Sequence, residues 1–242
     1  MFILGVETAT RVGSVAVVSE DRLIGEYTLN LSITHSERLL PSIDQLLKSI
    51  DIHFSNIDGL AVSLGPGSFT GLRIGISTIK GLSLASDKPV AGIPTLDALA
   101  QNYPGPENVI CPMLDARKKE VFTAIYFRDQ SKQLKKTTSY QAISPKELLK
   151  KFNGNEKVAF LGDGSHIYRP LIEEVLSSRA VFAPLHLSHP RAATVAFLGL
   201  EEIKRGNKIE VTKLSPIYVR PSEAELQGKM VELIDEVGKG KE

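Results

Sequence analysis

Apolar positions along the chain switch between two periods, and the switching outlines an α/β protein. Residues 2–6 are an apolar run that ends at Glu7. Residues 12–18 are rich in β-branched side chains, and residues 22–29 alternate in part. Punctuated by Gly13 and the Glu20-Asp21 pair, these runs predict three strands in a meander. Leu39, Leu40, Ile43, Leu46, Leu47 and Ile50 then recur at helical spacing on one stripe. Thr34 with Glu37 three residues on makes a capping box, and Pro41 predicts a kink or a delayed start. Residues 58–64 read as a buried strand, followed by a Gly-rich turn and a helix over 71–86. A short strand over 89–93 and a helix over 95–103 come next. Pro104-Gly105-Pro106 breaks the pattern. The expected division is a first subdomain, 1–105, and a second, 106–242, whose C-terminal segment has the option of returning to the first.

The second half repeats the order. Residues 109–114 are an apolar strand ending at Asp115, and 120–127 alternate through Val121, Thr123, Ile125 and Phe127. A polar, Lys-rich stretch leaves room for a third strand. A helix over 146–152, a strand over 157–161, a helix over 167–176 and a strand at 181–182 follow. The last helix is expected over 190–205, with Pro190 in its first turn. Two halves of strands interleaved with helices predict two sheets with a cleft between them.

Composition narrows the class. A chain of 242 residues, 42% hydrophobic, can bury a core without staples. The single Cys111 excludes a disulfide framework and fits a reducing compartment. No apolar run reaches the roughly 18 residues of a membrane span. The first residues have no basic flank and make too short a run for a signal peptide, so a cytoplasmic protein without membrane contact is expected. Charge is balanced, 29 Lys and Arg against 28 Asp and Glu, which removes the global surplus of a protein that grips nucleic acid alone. A local surplus does exist: residues 101–155 hold ten basic against five acidic side chains, read here as a solvated hairpin. With no Trp and 6% aromatics, a base-stacking platform is not expected.

Candidate chemistry is sparse. Gly65-Pro66-Gly67-Ser68-Phe69-Thr70-Gly71-Leu72-Arg73 places a Gly-rich turn between a strand and a helix start, where free N–H groups can hold a phosphate. It matches neither a Walker loop nor the dinucleotide pattern. A tight turn capped by Ser68 or Thr70 is the other reading. Glu7 and Asp115 close the first strands of the two halves and suit either Mg²⁺ organisation in a nucleotide cleft or surface acids. Thr8 and Thr10, just after Glu7, are candidates for weak nucleotide or phosphate contact, with Ser68 and Thr70. The five histidines include no pair at helical metal spacing, so no metal and no cofactor are expected. The helix over 71–86 is apolar nearly all round, charged only at Arg73 and Lys80, with Gly71, Gly75, Thr78 and Gly81 in a row. It is either a core helix or a helix shared with a partner. On the second reading Leu39, Leu40, Ile43 and Leu47 of the preceding helix join Leu72, Gly75, Ile76, Thr78 and Ile79 in a four-helix interface.

Glu7-Thr8-Ala9-Thr10, His35-Ser36-Glu37-Arg38-Leu39-Leu40-Pro41, the segment from Gly65 to Gly75, Leu114-Asp115-Ala116-Arg117-Lys118 and Pro216-Ile217-Tyr218-Val219-Arg220 together resemble the TsaB (YeaZ) family. The resemblance implies an actin, sugar-kinase and heat-shock-ATPase type of fold. It implies a non-catalytic subunit that pairs with a sister of the same fold, TsaD. That sister transfers a threonylcarbamoyl group to adenosine 37 of tRNA, giving t6A. An ATPase, TsaE, joins them, tRNA is met only through the complex, and the free chain has the option of a homodimer. The sister carries its metal on a His-x-x-x-His segment. Here Thr95 and Leu99 stand at those positions, and neither is a ligand. The opening Glu7-Thr8-Ala9-Thr10-Arg11 is bulkier than the Asp and Gly-Thr hairpin of actin-like ATPases, which argues against tight ATP binding. The runner-up is an ATP-dependent small-molecule kinase or hydrolase on the same fold. A metallopeptidase ranks last, since the His pair is missing.

Overall fold

The three N-terminal runs close into the expected meander, β1 (Ile3–Glu7), β2 (Gly13–Val18) and β3 (Leu23–Leu29). The computed structural model describes residues 1–30, 35–131 and 133–220. The Thr34 half of the expected capping box lies outside the described residues. After α1 (His35–Ser49), β4 (Gly59–Gly65) pairs parallel with β1, and after α2 (Phe69–Ser86), β5 (Val90–Pro94) pairs parallel with β4. The first sheet therefore runs β3-β2-β1-β4-β5. Pro41 sits inside α1, which neither starts late nor stops there.

The inner strands lack a polar face because both faces are covered, which makes them read as continuous apolar runs. Leu4, Val6, Val15, Val17, Leu60 and Val62 point to the face packed by α1 and α2. Their neighbours Ile3, Val18 and Ala61 point to the opposite face. That face is closed by α7 (Ala192–Lys204) from the far end of the chain, through Val195, Ala196 and Leu200. Small residues let α7 lie close: a Cβ on Gly199 would collide with Ala61, and one on Gly5 with Ala196. Its start is fixed from the first sheet, where Ser14 Oγ accepts from Ala192 N at 2.9 Å and Glu26 Oε1 from Ala193 N at 3.0 Å. Pro190 consequently lies before the helix rather than in its first turn.

The helix α3 (Thr95–Gln101) bridges the two sheets. Ala98 packs with the first sheet's cluster, while Leu96, Leu99 and Ala100 pack with the second's. The second sheet runs β10-β7-β6-β11-β12, with β8 pairing β6 and β9. Its strands are β6 (Val109–Arg117), β7 (Glu120–Thr123), β8 (Tyr126–Arg128), β9 (Leu134–Lys136), β10 (Gln141–Ile143), β11 (Val158–Leu161) and β12 (Ala180–Phe182). The single strand expected over 120–127 is thus two. They part where Ile125 turns its N–H to Thr138 Oγ1 and its carbonyl to Thr137 N. The helix expected over 146–152 is the shorter α4 (Pro145–Leu149), capped by Ser144. The one expected over 167–176 is α5 (Asp163–Ile167) and α6 (Arg169–Leu176), parted at Tyr168 with Pro170 opening the second.

Candidate functional site

The C-terminal ends of β1 and β4 bring the Gly-rich turn against the loop after Glu7. Gly65 sits at φ +100°, which favours glycine, and its N–H donates to Thr95 Oγ1 at 3.0 Å. A Cβ on Gly67 would run into the Ala9 carbonyl, and that carbonyl accepts from Ser68 N at 2.6 Å. Ser68 Oγ caps α2 by accepting from Gly71 N at 3.2 Å. The turn thus spends its Gly65, Ser68 and Gly71 N–H groups on the protein itself, which supports a capped turn.

Glu7 is fully buried. Its Oε1 accepts from Ala9 N at 2.5 Å, and burial pushes its pKa up to about 7, against the lowering pull of the Ala9, Ser63 and Thr8 donors. Glu7 Oε2, Thr8 Oγ1 and Ser63 Oγ are buried without a well-formed hydrogen bond. The carboxyl folds back on its own loop, where a phosphate would need the same N–H groups. Glu7 and Thr8, expected as weak nucleotide or phosphate contacts, are both at most 1% exposed. Thr8 instead faces α2, where a Cβ on Gly75 would collide with its hydroxyl. Thr10 is half-buried, its Oγ1 donating to Val12 O at 3.0 Å, while Thr70 and Asp115 are exposed.

The interface expected from the pattern is mostly interior. Leu39, Ile43, Leu47, Leu72, Ile76 and Ile79 are 0–8% exposed and pack in this chain's own core, and Gly75 faces Thr8. The face of α1 and α2 that pairs with the first sheet is the apolar one, and the sheet covers it. Thr78 is half-exposed and Leu40 is 55% exposed. The outward face of α2 carries Arg73, Ser77, Gly81, Leu84 and Ala85 as exposed positions, with Leu84 at 74%. Arg73 is the one charge among these five. It lies over Phe69 at 3.9 Å and its Nε donates to Tyr218 Oη at 3.1 Å, while Tyr218 stacks on Phe69 at 5.0 Å. A Cβ on Gly81 would meet nothing within 4 Å.

Thr95 and Leu99 are both fully buried, the first bonded to Gly65 and the second in the core under α3. Between them, Asp97 Oδ1 accepts from Tyr126 at 2.5 Å and from Tyr140 at 2.7 Å. Cys111 is buried, and desolvation pushes its thiol up to about 12. Among the described residues, no three His, Cys, Asp or Glu side chains group where a metal could bind. None of the described helices is long and apolar enough to cross a membrane.

Sequence reasoning passed over the turn between β6 and β7. Arg117, Lys118 and Lys119 stand there at φ 58°, 52° and 61°. A left-handed residue other than glycine costs roughly 1–2 kcal/mol. The apolar runs 109–114 and 120–127 leave five residues between them, with Arg117, Lys118 and Lys119 rather than Asn-Gly at the turn, so no tight hairpin shows in the sequence.

Comparison with known proteins gives the geometry a family. Residues 29–227 match the family model described as TsaD, tRNA N6-adenosine threonylcarbamoyltransferase. The tRNA threonylcarbamoyladenosine biosynthesis protein TsaB of Bacillus subtilis is 31% identical over 93% of this chain and 96% of its own length. The structure of YeaZ from Pseudomonas aeruginosa superposes with a TM-score of 0.74 at 27% identity, covering 90% of this chain and 99% of that one. The ROK hexokinase of Thermus thermophilus shares the fold, with a TM-score of 0.51 at 12% identity over 84% of this chain and all of that one. The fold is that of the actin and sugar-kinase group, and the chain belongs to the TsaB (YeaZ) family of tRNA threonylcarbamoyladenosine biosynthesis proteins.

Proposed function

We propose that the chain is the non-catalytic subunit that binds and activates a TsaD-like subunit for threonylcarbamoyl transfer to adenosine 37 of tRNA. The observation that carries this reading is the outward face of α2. Ser77, Gly81, Leu84 and Ala85 form an exposed strip of small and apolar residues, bordered by Arg73 and the half-exposed Lys80, and Leu84 stands 74% in solvent. Such a strip suits close approach by a second helix, since small residues let backbones come together. On α1, Leu40 and Pro41 are likewise exposed apolar positions. The docking face is therefore the reverse of the stripe expected from the pattern, with Leu40 and Thr78 retained. Two further features favour a subunit without its own chemistry. Thr95 and Leu99 fill the sister's metal positions with buried side chains. Glu7 spends a carboxyl oxygen on the Ala9 N–H of its own loop. The same face offers a two-fold self-pairing in the free chain, and a TsaE-like ATPase joins the assembled pair.

The test is calorimetric titration with the TsaD-like subunit, alongside a transfer assay on unmodified tRNA. Association, and transfer that needs both subunits, are the expected results. Transfer by this chain alone, or tight Mg-ATP binding with turnover, would sink the reading in favour of an ATP-dependent enzyme.

A further inference from the structure

The turn between β6 and β7 has the wrong residues for its backbone, and every mismatch is a cation. Arg117 pairs with Glu120, so Lys118 and Lys119 are the two central residues of a tight hairpin. Both have positive φ, the geometry that Asn-Gly normally fills. The register also shifts between Asp115 and Arg117, one extra residue on β6, and the left-handed residue of such a bulge is usually glycine. Three consecutive positions that favour Gly or Asn are thus Arg117, Lys118 and Lys119. All three are exposed, so packing does not account for them. Strained backbone that persists on a surface points to use.

The nearby carboxylates are held by backbone N–H groups or by Arg220. Asp115 Oδ1 accepts from Arg117 N at 2.9 Å, and Asp163 Oδ1 accepts from Asp115 N at 2.9 Å and Gly164 N at 2.8 Å. Glu120 pairs with Arg220 at 2.8 Å. Among the described residues neither Arg117 nor Lys119 forms an ion pair. Arg220 also donates to Ala116 O, and two residues back Tyr218 takes the Arg73 guanidinium. Residues 218–220 thus link Arg73 at the start of α2 to the base of the hairpin, with the Arg220 charge met by Glu120.

We propose that this hairpin grips the sugar-phosphate backbone of the tRNA substrate. The proposal rests on the functional reading above and adds the surface by which this subunit meets RNA. An exposed hairpin tip suits a polyanion lying outside the protein, whereas a small phosphate is usually held by converging N–H groups in an enclosed turn. Phosphate contacts position an RNA without reading its sequence, in keeping with the absence of Trp and the scarcity of other aromatics.

The test uses the two-subunit complex and an unmodified tRNA transcript. One variant is Arg117→Gly with Lys118→Asn and Lys119→Gly, which gives the turn the residues its backbone favours. Its control removes the same charge at exposed sites elsewhere, as Arg22→Asn with Lys157→Asn and Lys208→Asn. The hairpin variant is expected to keep or raise its melting temperature and to bind the partner subunit normally. Its tRNA affinity at about 0.1 M salt should fall roughly tenfold or more, and the slope of log affinity against log salt should flatten by about two. The control should change neither. Lys119→Gly alone should show the same direction at smaller amplitude. Equal affinity and slope for hairpin variant and parent would overturn the proposal, and so would an equal loss in the control. If millimolar inorganic phosphate erases the difference, the site is one for small anions and the proposal fails. Should the subunits not associate, the functional reading fails instead, and the same comparison is read on the isolated chain.

Discussion

Gly75 and Gly81 both belong to the run of small residues on α2, but the first faces Thr8 and the second open space, and substituting each separates folding from association. The space beyond Gly81 is open, so Gly81→Gln adds a good helix former where nothing resists it. Relieving a mid-helix glycine is worth about 0.5–1 kcal/mol, a rise of roughly 1–4 °C in Tm for a chain of this size. If a partner helix lies on this face, the new side chain is wedged between backbones. Overpacking of that kind costs about 1–3 kcal/mol, or roughly a ten- to hundredfold loss of affinity. Gly75→Leu should do the reverse, since any Cβ there strikes the Thr8 hydroxyl. It should lose at least about 1–3 kcal/mol of stability, a fall of roughly 2–12 °C. Thermal melts and calorimetric titration with the TsaD-like subunit read both quantities. A Gly81→Gln variant with unchanged affinity refutes the docking face. A Gly81→Gln variant that melts earlier refutes the open space on which the magnitude was worked.

Three further outcomes are expected. Glu7 has its folded-state pKa raised from 4.5 to about 7, so it stabilises the fold fully below its unfolded pKa, and that contribution is lost as pH rises through about 7. It amounts to on the order of 3 kcal/mol at 1.36 kcal/mol per pH unit. Denaturant titrations from pH 4 to 8 should show this decline in the parent and a flatter profile in Glu7→Gln. Cys111, buried with its thiol pushed up to about 12, should resist an aromatic disulfide reagent until the chain unfolds, and fast labelling of the native protein would contradict its burial. Glu26→Ala removes the carboxylate that holds Arg191 and accepts from Ala193 N at 3.0 Å. Its side chain is 7% exposed and that of Arg191 36%, so a loss of about 1–2 kcal/mol in urea unfolding is expected. No loss would show that packing and the Ser14 hydroxyl suffice to hold the start of α7.

Strand and helix order was legible because burial on both faces leaves an unmistakable apolar run at residues 2–6 and 58–64. The facing of α2 was not legible. A row of small residues at helical spacing looks the same whether it admits a partner or this chain's own Thr8. Only the path of β1 decides, and β1 lies some seventy positions away. Glu7 misled for a related reason, since an acid at a strand end normally meets water, and its inward turn depends on the loop N–H at Ala9. The motif residues Gly65, Gly67 and Ser68 were found as a turn. Their partners, the Thr95 hydroxyl and the Ala9 carbonyl, carry no local pattern that would mark them.

The closure of the first sheet by α7 sets a timetable for synthesis. Its strands are complete at Pro94, yet Ile3, Ala61, Ala91 and Ile93 keep one face bare until the helix ending at Lys204 is made. That is about 110 residues later, and ribosomes add roughly 5–20 residues per second. The nascent chain therefore carries an uncovered apolar sheet for roughly 5–20 seconds, plus the transit of the exit tunnel. Release of an early-terminated chain leaves that surface permanently open, so shortened products should be caught by holdase chaperones and degraded rather than accumulate as a half-sized domain.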